Sequence, residues 1–502
     1  MILIYITLLI PLVTALGIFA TGKLPDVREG VTLVGAVALF ASVIALAAQV
    51  AAGGAPVADV LTVVPADPDV FRMPGSPSGG LTFSFKLEPL GALFALVASG
   101  LWIVNSLYSI GYMRGNRERN QTRFYICFAI ALFGAMGVSM AGNLFTLFVF
   151  YEVLTLSTYP LVAHKGDDKA QKGARIYLMT LLGTSIGLFL VGVIWTYSIA
   201  GSLDFVPGGL LSGQVGPVVG SALILLFAFG IGKAALMPFH FWLPNAMVAP
   251  TPVSALLHAV AVVKAGVFTV LKVSIYIFGA ETLKELPATD WVLIVACFTI
   301  IVASLIAMTK DNLKARLAYS TVAQLSYVTA GAMIATQNGW LGGALQISAH
   351  AAGKMTLFMC AGAIYVATGL TEISQMRGLG RRMPLVFIAF LVGSLSIIGI
   401  PPLAGAWPKF ALMQGATDAG NAYVAWILIG SSLLNIAYLL PIPFLALMAP
   451  KGTPEPAPFK RQGGAPFFAV LPPVLTAGLC LILFFMTGWI SQFLQPAVGG
   501  AL

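Results

Sequence analysis

The 502 residues are 59% hydrophobic and 9% charged, with a formal net charge of +9 and a mean hydropathy of +0.94. Soluble domains carry roughly a quarter charged residues, so this composition excludes a water-soluble enzyme and makes the bilayer the solvent. The basic residues are spread over short loops rather than gathered in a patch, so nucleic acid is not an expected partner.

Apolar runs long enough to cross roughly 30 Å of hydrocarbon as helices recur along the whole chain. They predict an all-α polytopic membrane protein of about fourteen transmembrane helices. The first seven fall near 2–20, 31–51, 88–110, 123–141, 143–163, 174–200 and 217–238. The second seven fall near 252–279, 291–309, 315–335, 341–369, 384–415, 421–448 and 466–491. The run from Met1 to Ala20 lacks the basic n-region and cleavage site of a signal peptide and is read as a permanent helix. Four cysteines, Cys127, Cys297, Cys360 and Cys480, lie singly in apolar runs with no metal- or haem-binding spacing, so no metal and no cofactor is expected.

The loops between these runs test the count. Odd-numbered loops hold nineteen Lys and Arg, from Lys23 and Arg28 through Arg114, Lys165, Lys310, Lys314 and Arg377 to Lys451, Lys460 and Arg461. Even-numbered loops hold Arg72, Lys86 and Lys284, beside acids such as Asp59, Asp67, Asp69, Asp204, Glu281, Glu285, Asp290 and Asp418. Cytoplasmic loops are the Lys/Arg-rich ones, so the odd loops are expected in the cytoplasm and both termini in the periplasm of a bacterial inner membrane.

Five lysines and one acid remain inside the apolar runs: Lys233, Lys264, Lys272, Lys354, Lys409 and Glu152. An ionisable group at bilayer depth costs a few kcal/mol on insertion scales, so such groups usually face a polar interior and carry function. Glu152 has no other charge within ten residues, so its partner must come from another helix. Lys233 is the natural one. Two glycines precede it and Pro238 and Pro244 follow, so its helix should break just beyond the lysine. Lys409 repeats the arrangement after Pro401, Pro402 and Pro408. Two interrupted helices five apart point to inverted five-helix repeats, helices 4–8 and 9–13, broken at helices 7 and 12. The expected division is 1–110, 123–279, 291–448 and 466–491. Between the breaks, His258 and Lys264 lie on one helix and His350 and Lys354 on another. The latter pair is one turn apart, whereas His258 and Lys264 fall roughly 120° apart at 100° per residue and need water between them. Lys272, near a helix end, is expected to snorkel. No phosphate loop, dinucleotide fingerprint or H-E-x-x-H site is present, so no bond-making enzyme is expected.

Long strings within residues 88–440 carry a family resemblance. They are Glu152 in Phe-Tyr-Glu, Lys233 in Lys-x-x-x-x-Pro-Phe-His-x-Trp-Leu-Pro, Ala249-Pro-Thr-Pro-Val-Ser-Ala-Leu-Leu-His, and Leu313-Lys-x-x-Leu-Ala-Tyr-Ser. The sequence resembles the antiporter-like subunits shared by respiratory complex I and the multi-subunit Mrp-type Na+/H+ antiporters, most closely the D-type antiporter subunit. The resemblance implies a proton path along Glu152, Lys233, Lys264 and Lys409, with His258, His350 and Lys354 lining it. Asn245 and Gln324 depart from the family's usual Asp and His. The expected function is that of a proton-translocating subunit of a monovalent cation/proton antiporter, partnered by other membrane subunits and moving protons against Na+ or K+. The alternative is a pumping subunit of a complex I-like oxidoreductase or membrane-bound hydrogenase.

Overall fold

The computed structural model describes residues 1–64, 80–448, 458–460 and 464–499. Asp67, Asp69, Arg72, Lys451 and Arg461 of the loop-charge pattern lie outside the described residues.

The chain is mostly helical, and eleven helices among the described residues are long and apolar enough to cross a membrane. We number the long helices in chain order. The first six are α1 (Ile2–Ala20), α2 (Pro25–Ala51), α3 (Pro89–Gly115), α4 (Gln121–Ser139), α5 (Leu144–Val162) and α6 (Asp168–Ala200). The next five are α7 (Pro217–Gly230), α8 (Val253–Phe278), α9 (Pro287–Thr309), α10 (Leu313–Ile334) and α11 (Gln337–Thr368). The last four are α12 (Pro384–Ile398), α13 (Ala406–Asp418), α14 (Ala422–Leu447) and α15 (Phe467–Val498). The segments that do not count among the eleven are informative. Helices α7 and α12 are short because the chain breaks after them, and α10 opens with Lys314 and Arg316 in its first turn.

Sorting by burial separates a shell from a centre. Helices α1, α2 and α15 expose Leu16, Phe19, Val34, Phe485 and Trp489, as expected of faces turned to lipid, where apolar side chains cost nothing. Every residue of α8 is buried, and so is nearly all of α11. These two central helices carry His258, Lys264, Lys272, His350 and Lys354. Their side chains therefore meet other helices and not lipid.

Several local expectations change. A two-stranded hairpin, β1 (Val57–Val64) against β2 (Leu81–Lys86), sits between α2 and α3 where only a loop was expected. Helix α2 starts at Pro25, not near 31, because proline suits the first helical position. Arg28 is thereby moved from the loop into the helix. It is buried there, held by Glu29 at 3.1 Å, Gln121 at 3.0 Å and Thr122 at 3.2 Å. Arg114 closes on the same Glu29 and ties the ends of α2, α3 and α4 together.

The two breaks are both present and differ in detail. Helix α7 stops at Gly230, before the lysine, so Lys233 lies within the break in a 3-10 turn spanning Gly232–Ala234. Ala235 then takes a left-handed φ of 55°. The expected break beyond the lysine is displaced because Gly230 and Gly232 are pressed against α6. A Cβ on Gly230 would lie 2.4 Å from the Phe189 nitrogen, so only glycine lets the chain leave the helix there. In the second break Gly399, at φ 91°, ends α12, and the chain resumes as α13 with Lys409 in its first turn.

Candidate functional site

Lys233 leaves its broken helix pointing at α5. Its Nζ donates to the Tyr151 carbonyl at 2.7 Å and to Thr155 Oγ1 at 2.6 Å, and it lies 3.1 Å from the centroid of the Tyr151 ring. The Tyr151 hydroxyl in turn accepts from the Lys233 backbone N–H at 3.0 Å. One residue along α5, Glu152 acts on Lys233 electrostatically without an ion-pair contact, and both its carboxylate oxygens are buried with no hydrogen-bond partner among the described residues. A carboxylate in that position supplies charge without fixing the ammonium in one geometry. Gly266 of α8 makes this packing possible, because a Cβ there would meet the Lys233 carbonyl carbon at 2.4 Å.

His258 is buried, with no hydrogen-bond partner for either ring nitrogen among the described residues. Its ring stands 6.2 Å from that of Tyr177 and 6.3 Å from that of Trp242, and the Tyr177 hydroxyl contacts Thr158, one turn from Thr155. The helix around His258 is not the α-helix assumed above. Val253–Ala261 winds as a π-helix, so 100° per residue does not hold between His258 and Lys264, and the predicted 120° offset is withdrawn. Wide turns of this kind recur at functional sites.

Lys264 and His350 meet directly, Nζ to Nδ1, joining α8 to α11. One turn further along α11, Lys354 Nζ donates to Ser320 Oγ of α10 at 2.5 Å and more weakly to the Leu317 carbonyl at 3.4 Å. Tyr438 of α14 donates to Ser320 Oγ at 2.7 Å and also contacts Asn435. Tyr327 donates to Ser431 Oγ at 2.9 Å and has Gln324, Ser432 and Asn435 around its hydroxyl. At the end of this belt, Lys409 Nζ donates to Ser432 Oγ at 2.8 Å and to the Ile398 carbonyl at 2.6 Å. Lys354 and Lys409 are thus linked through side-chain hydroxyls and one amide, without a carboxylate.

The expected residues accordingly gather into two groups. Glu152, Lys233 and His258 lie among α5, α6 and α8. Lys264, His350, Lys354 and Lys409 form the second group with α10 and α14. The departures from the family pattern have simple fates. Asn245 is exposed and donates to Phe241 of its own turn, and Gln324 is buried and accepts from Gln346 at 2.7 Å. The hydroxyls of Thr155, Ser320, Tyr327, Ser432 and Tyr438 escaped the sequence reading because nothing distinguishes them there from the many other Ser, Thr and Tyr of apolar helices.

Lys272 requires correction. It does not snorkel: it is buried, with Nζ 2.7 Å from Glu88 Oε1 and 2.8 Å from the Ala141 carbonyl. Glu88 was not counted with Glu152 because it stands at the outer end of the expected helix 88–110; in the structure it is the residue just before α3.

On the odd-loop side a cavity of about 570 Å³ is lined by Tyr112, Lys165, Thr251, Lys314 and Glu372. Glu118 nearby is raised above the usual carboxylate range by burial, against the opposing pull of Lys165 and Lys314. Lys314 donates to the Ala249 carbonyl at 2.6 Å and acts electrostatically on His258.

Residues 141–435 match the family described as NADH:quinone oxidoreductase/Mrp antiporter, TM, and residues 76–125 match NADH-Ubiquinone oxidoreductase (complex I), chain 5 N-terminus. The chain is 32% identical over 476 residues to NADH-quinone oxidoreductase subunit N of Desulforudis audaxviator, covering 91% of this chain and 92% of that protein. It is 29% identical over 452 residues to Na(+)/H(+) antiporter subunit A1 of Staphylococcus haemolyticus, covering 84% of this chain and 54% of that longer protein. Its fold is similar to a chain of the Mrp complex from Dietzia, with a TM-score of 0.80 at 20% identity, covering 99% of this chain and 97% of that one.

Proposed function

The chain belongs to the NADH:quinone oxidoreductase/Mrp antiporter family of transmembrane subunits, and on that premise we propose that it carries protons between two buried lysine stations, Lys233 and Lys409, as part of a multi-subunit cation/proton antiporter. One observation carries the reading: the contact between Lys264 and His350, with Lys354 one turn on and a run of hydroxyls from there to Lys409. Buried polar groups in a membrane need partners, and a row of them spanning five helices is costly to keep, which is why such groups usually carry function.

In this mechanism Glu152 sets the charge at Lys233. A lysine in dry surroundings holds its proton when a carboxylate is near and yields it when that influence is withdrawn. Lys264 and His350 receive the proton by way of His258, whose ring nitrogens have no partner among the described residues. Ser320, Tyr438, Asn435 and Tyr327 carry it on to Lys409. The odd-loop cavity beside Lys314 is the aqueous approach. We take segments 123–279 and 291–448 as inverted repeats, the odd loops as cytoplasmic and both termini as periplasmic in a bacterial inner membrane. The subunit makes and breaks no covalent bond of a substrate, and its partners are other membrane subunits. The D-type antiporter subunit is the assignment we favour within the family.

A second reading is supported by the Desulforudis relative, whose length this chain nearly matches: the same residues would pump protons inside a redox complex. The companions that purify with the chain separate the two, since electron-transfer subunits would belong only to the second. In either setting, Lys233→Ala in the assembled complex should abolish proton movement while leaving assembly intact. Exchange at the normal rate would remove Lys233 from the path.

A further inference from the structure

One titratable pair is left unused by this path. Lys272 lies two turns beyond Lys264 on α8, and among the described residues it is the one of the five membrane lysines that contacts a carboxylate. Its Nζ is 2.7 Å from Glu88 Oε1, 2.8 Å from the Ala141 carbonyl, and 4.4 Å from the centroid of the Phe205 ring. The pair is asymmetric. The Lys272 side chain is 1% exposed and that of Glu88 13% exposed, and Glu88 lines a cavity of about 120 Å³ with Lys86, Phe205, Tyr276 and Pro496. Lys86 stands at the end of β2, so this cavity belongs to the even-loop face, opposite the one beside Lys314.

We propose that Glu88 and Lys272 form a second proton-exchange site, the one through which this chain meets water on the even-loop side. The inference rests on the proton-carrying reading above. In the exchange step the Lys272 ammonium passes a proton along its contact to the Glu88 carboxylate, leaving a neutral amine and a neutral acid. The Glu88 acid then releases the proton to water in the cavity and returns to the carboxylate. The reverse sequence loads Lys272. Lys86 and Tyr276 are the other titratable groups that act on the pair, one at the cavity rim and one on the wall of α8.

A tie between α3 and α8 would not require these residue types. A buried ion pair gives little net stability over well-packed apolar side chains of similar volume, so a structural joint at this depth is as well made without charge. The placement of the acid at the cavity, 13% exposed, with the 1% exposed amine behind it, is what a relay to water needs.

The test is exchange by the whole complex in membrane vesicles, with pH varied independently on the two faces. It compares Glu88→Gln, the neutral pair Glu88→Gln/Lys272→Met, and Lys233→Ala as the control. The expected result is an assembled Glu88→Gln complex that exchanges about tenfold more slowly and whose rate no longer follows pH on one face while still following it on the other. Wild-type rate and two-sided pH response in either assembled Glu88 variant overturns the proposal, as does a slower rate with both responses intact. If neither variant assembles, the pair is a structural tie and the proposal fails. Normal exchange in Lys233→Ala sinks the underlying proton path instead, whereas a dead Lys233→Ala beside a normal Glu88→Gln sinks only the second site.

Discussion

The two interrupted helices bring a lysine to the same kind of place by different means. Lys233 lies in the 3-10 turn after α7, against an aromatic face, a hydroxyl and a carbonyl of α5, with Glu152 nearby but not touching. Lys409 lies in the first turn of α13, and its ammonium caps the Ile398 carbonyl at the end of α12 while Ser432 takes a second bond. The end of a helix carries roughly half a negative charge on its free carbonyls, so a cation there is stabilised. The first break supplies a whole carboxylate at a distance, and the second supplies a helix terminus in contact. A carboxylate is a side chain that can shift or be protonated, whereas a helix end is fixed. On the proposed path the first lysine is therefore the adjustable station and the second the constant one.

The largest effect should come from removing what makes the first station adjustable. Glu152→Gln keeps the shape of α5 and deletes the charge, and proton movement in the assembled complex should fall about tenfold, which corresponds to ~1.4 kcal/mol on the limiting step. An assembled Glu152→Gln complex that exchanges at the normal rate would mean that Lys233, like Lys409, works without a carboxylate, and the difference between the two breaks would vanish.

A smaller effect tests the other side. Ser432→Asp places a carboxylate where Lys409 now has a hydroxyl at 2.8 Å, giving the constant station a counter-charge in direct contact. The proton should be held longer there, slowing exchange roughly threefold, or ~0.7 kcal/mol, with assembly unchanged. Faster exchange would show that the second station had lacked a charge it needed.

How much of this could be read in the chain follows from distance along it. Isolation marks Glu152 and Lys233 at once, because a charge in a long apolar run has no local explanation, and glycine and proline announce both breaks. What escaped are the contacts, which join residues far apart in sequence. Thr155 meets Lys233 across 78 residues and Tyr438 meets Ser320 across 118, and hydroxyls give no compositional signal. Helix starts misled for a related reason. Arg28 looks like a loop charge until α2 is seen to begin early, at a proline that only the fold identifies as a first-turn residue, and Glu88, the first residue of the expected third helix, meets its partner Lys272 only across 184 residues of chain. The π-helical winding at His258 is likewise declared by no residue pattern in Val253–Ala261.

The smallest expected effect concerns the foot of α5, the helix on which the first station leans. His164 follows that helix on the odd-loop side, buried against the Phe124 ring, with the Arg119 backbone near its ring and its own carbonyl held by Arg123. Burial, then the Arg123 charge, lowers its pKa from the ordinary histidine value to about 4. The folded protein thus keeps this ring neutral where an unfolded chain would protonate it. Its contribution to stability is complete above about pH 6.5 and is lost as pH falls toward 4, because only the unfolded state gains the proton in that window. His164→Phe should leave exchange at pH 7 to 8 unchanged and make the thermal midpoint of the complex fall less between pH 7 and pH 5 than it does in the parent. If exchange near neutral pH changed instead, the pH response of the first half would arise at this foot, outside the membrane, and not at Glu152 and Lys233. The contrast between an adjustable and a constant station would then have to be redrawn around α5 as a whole.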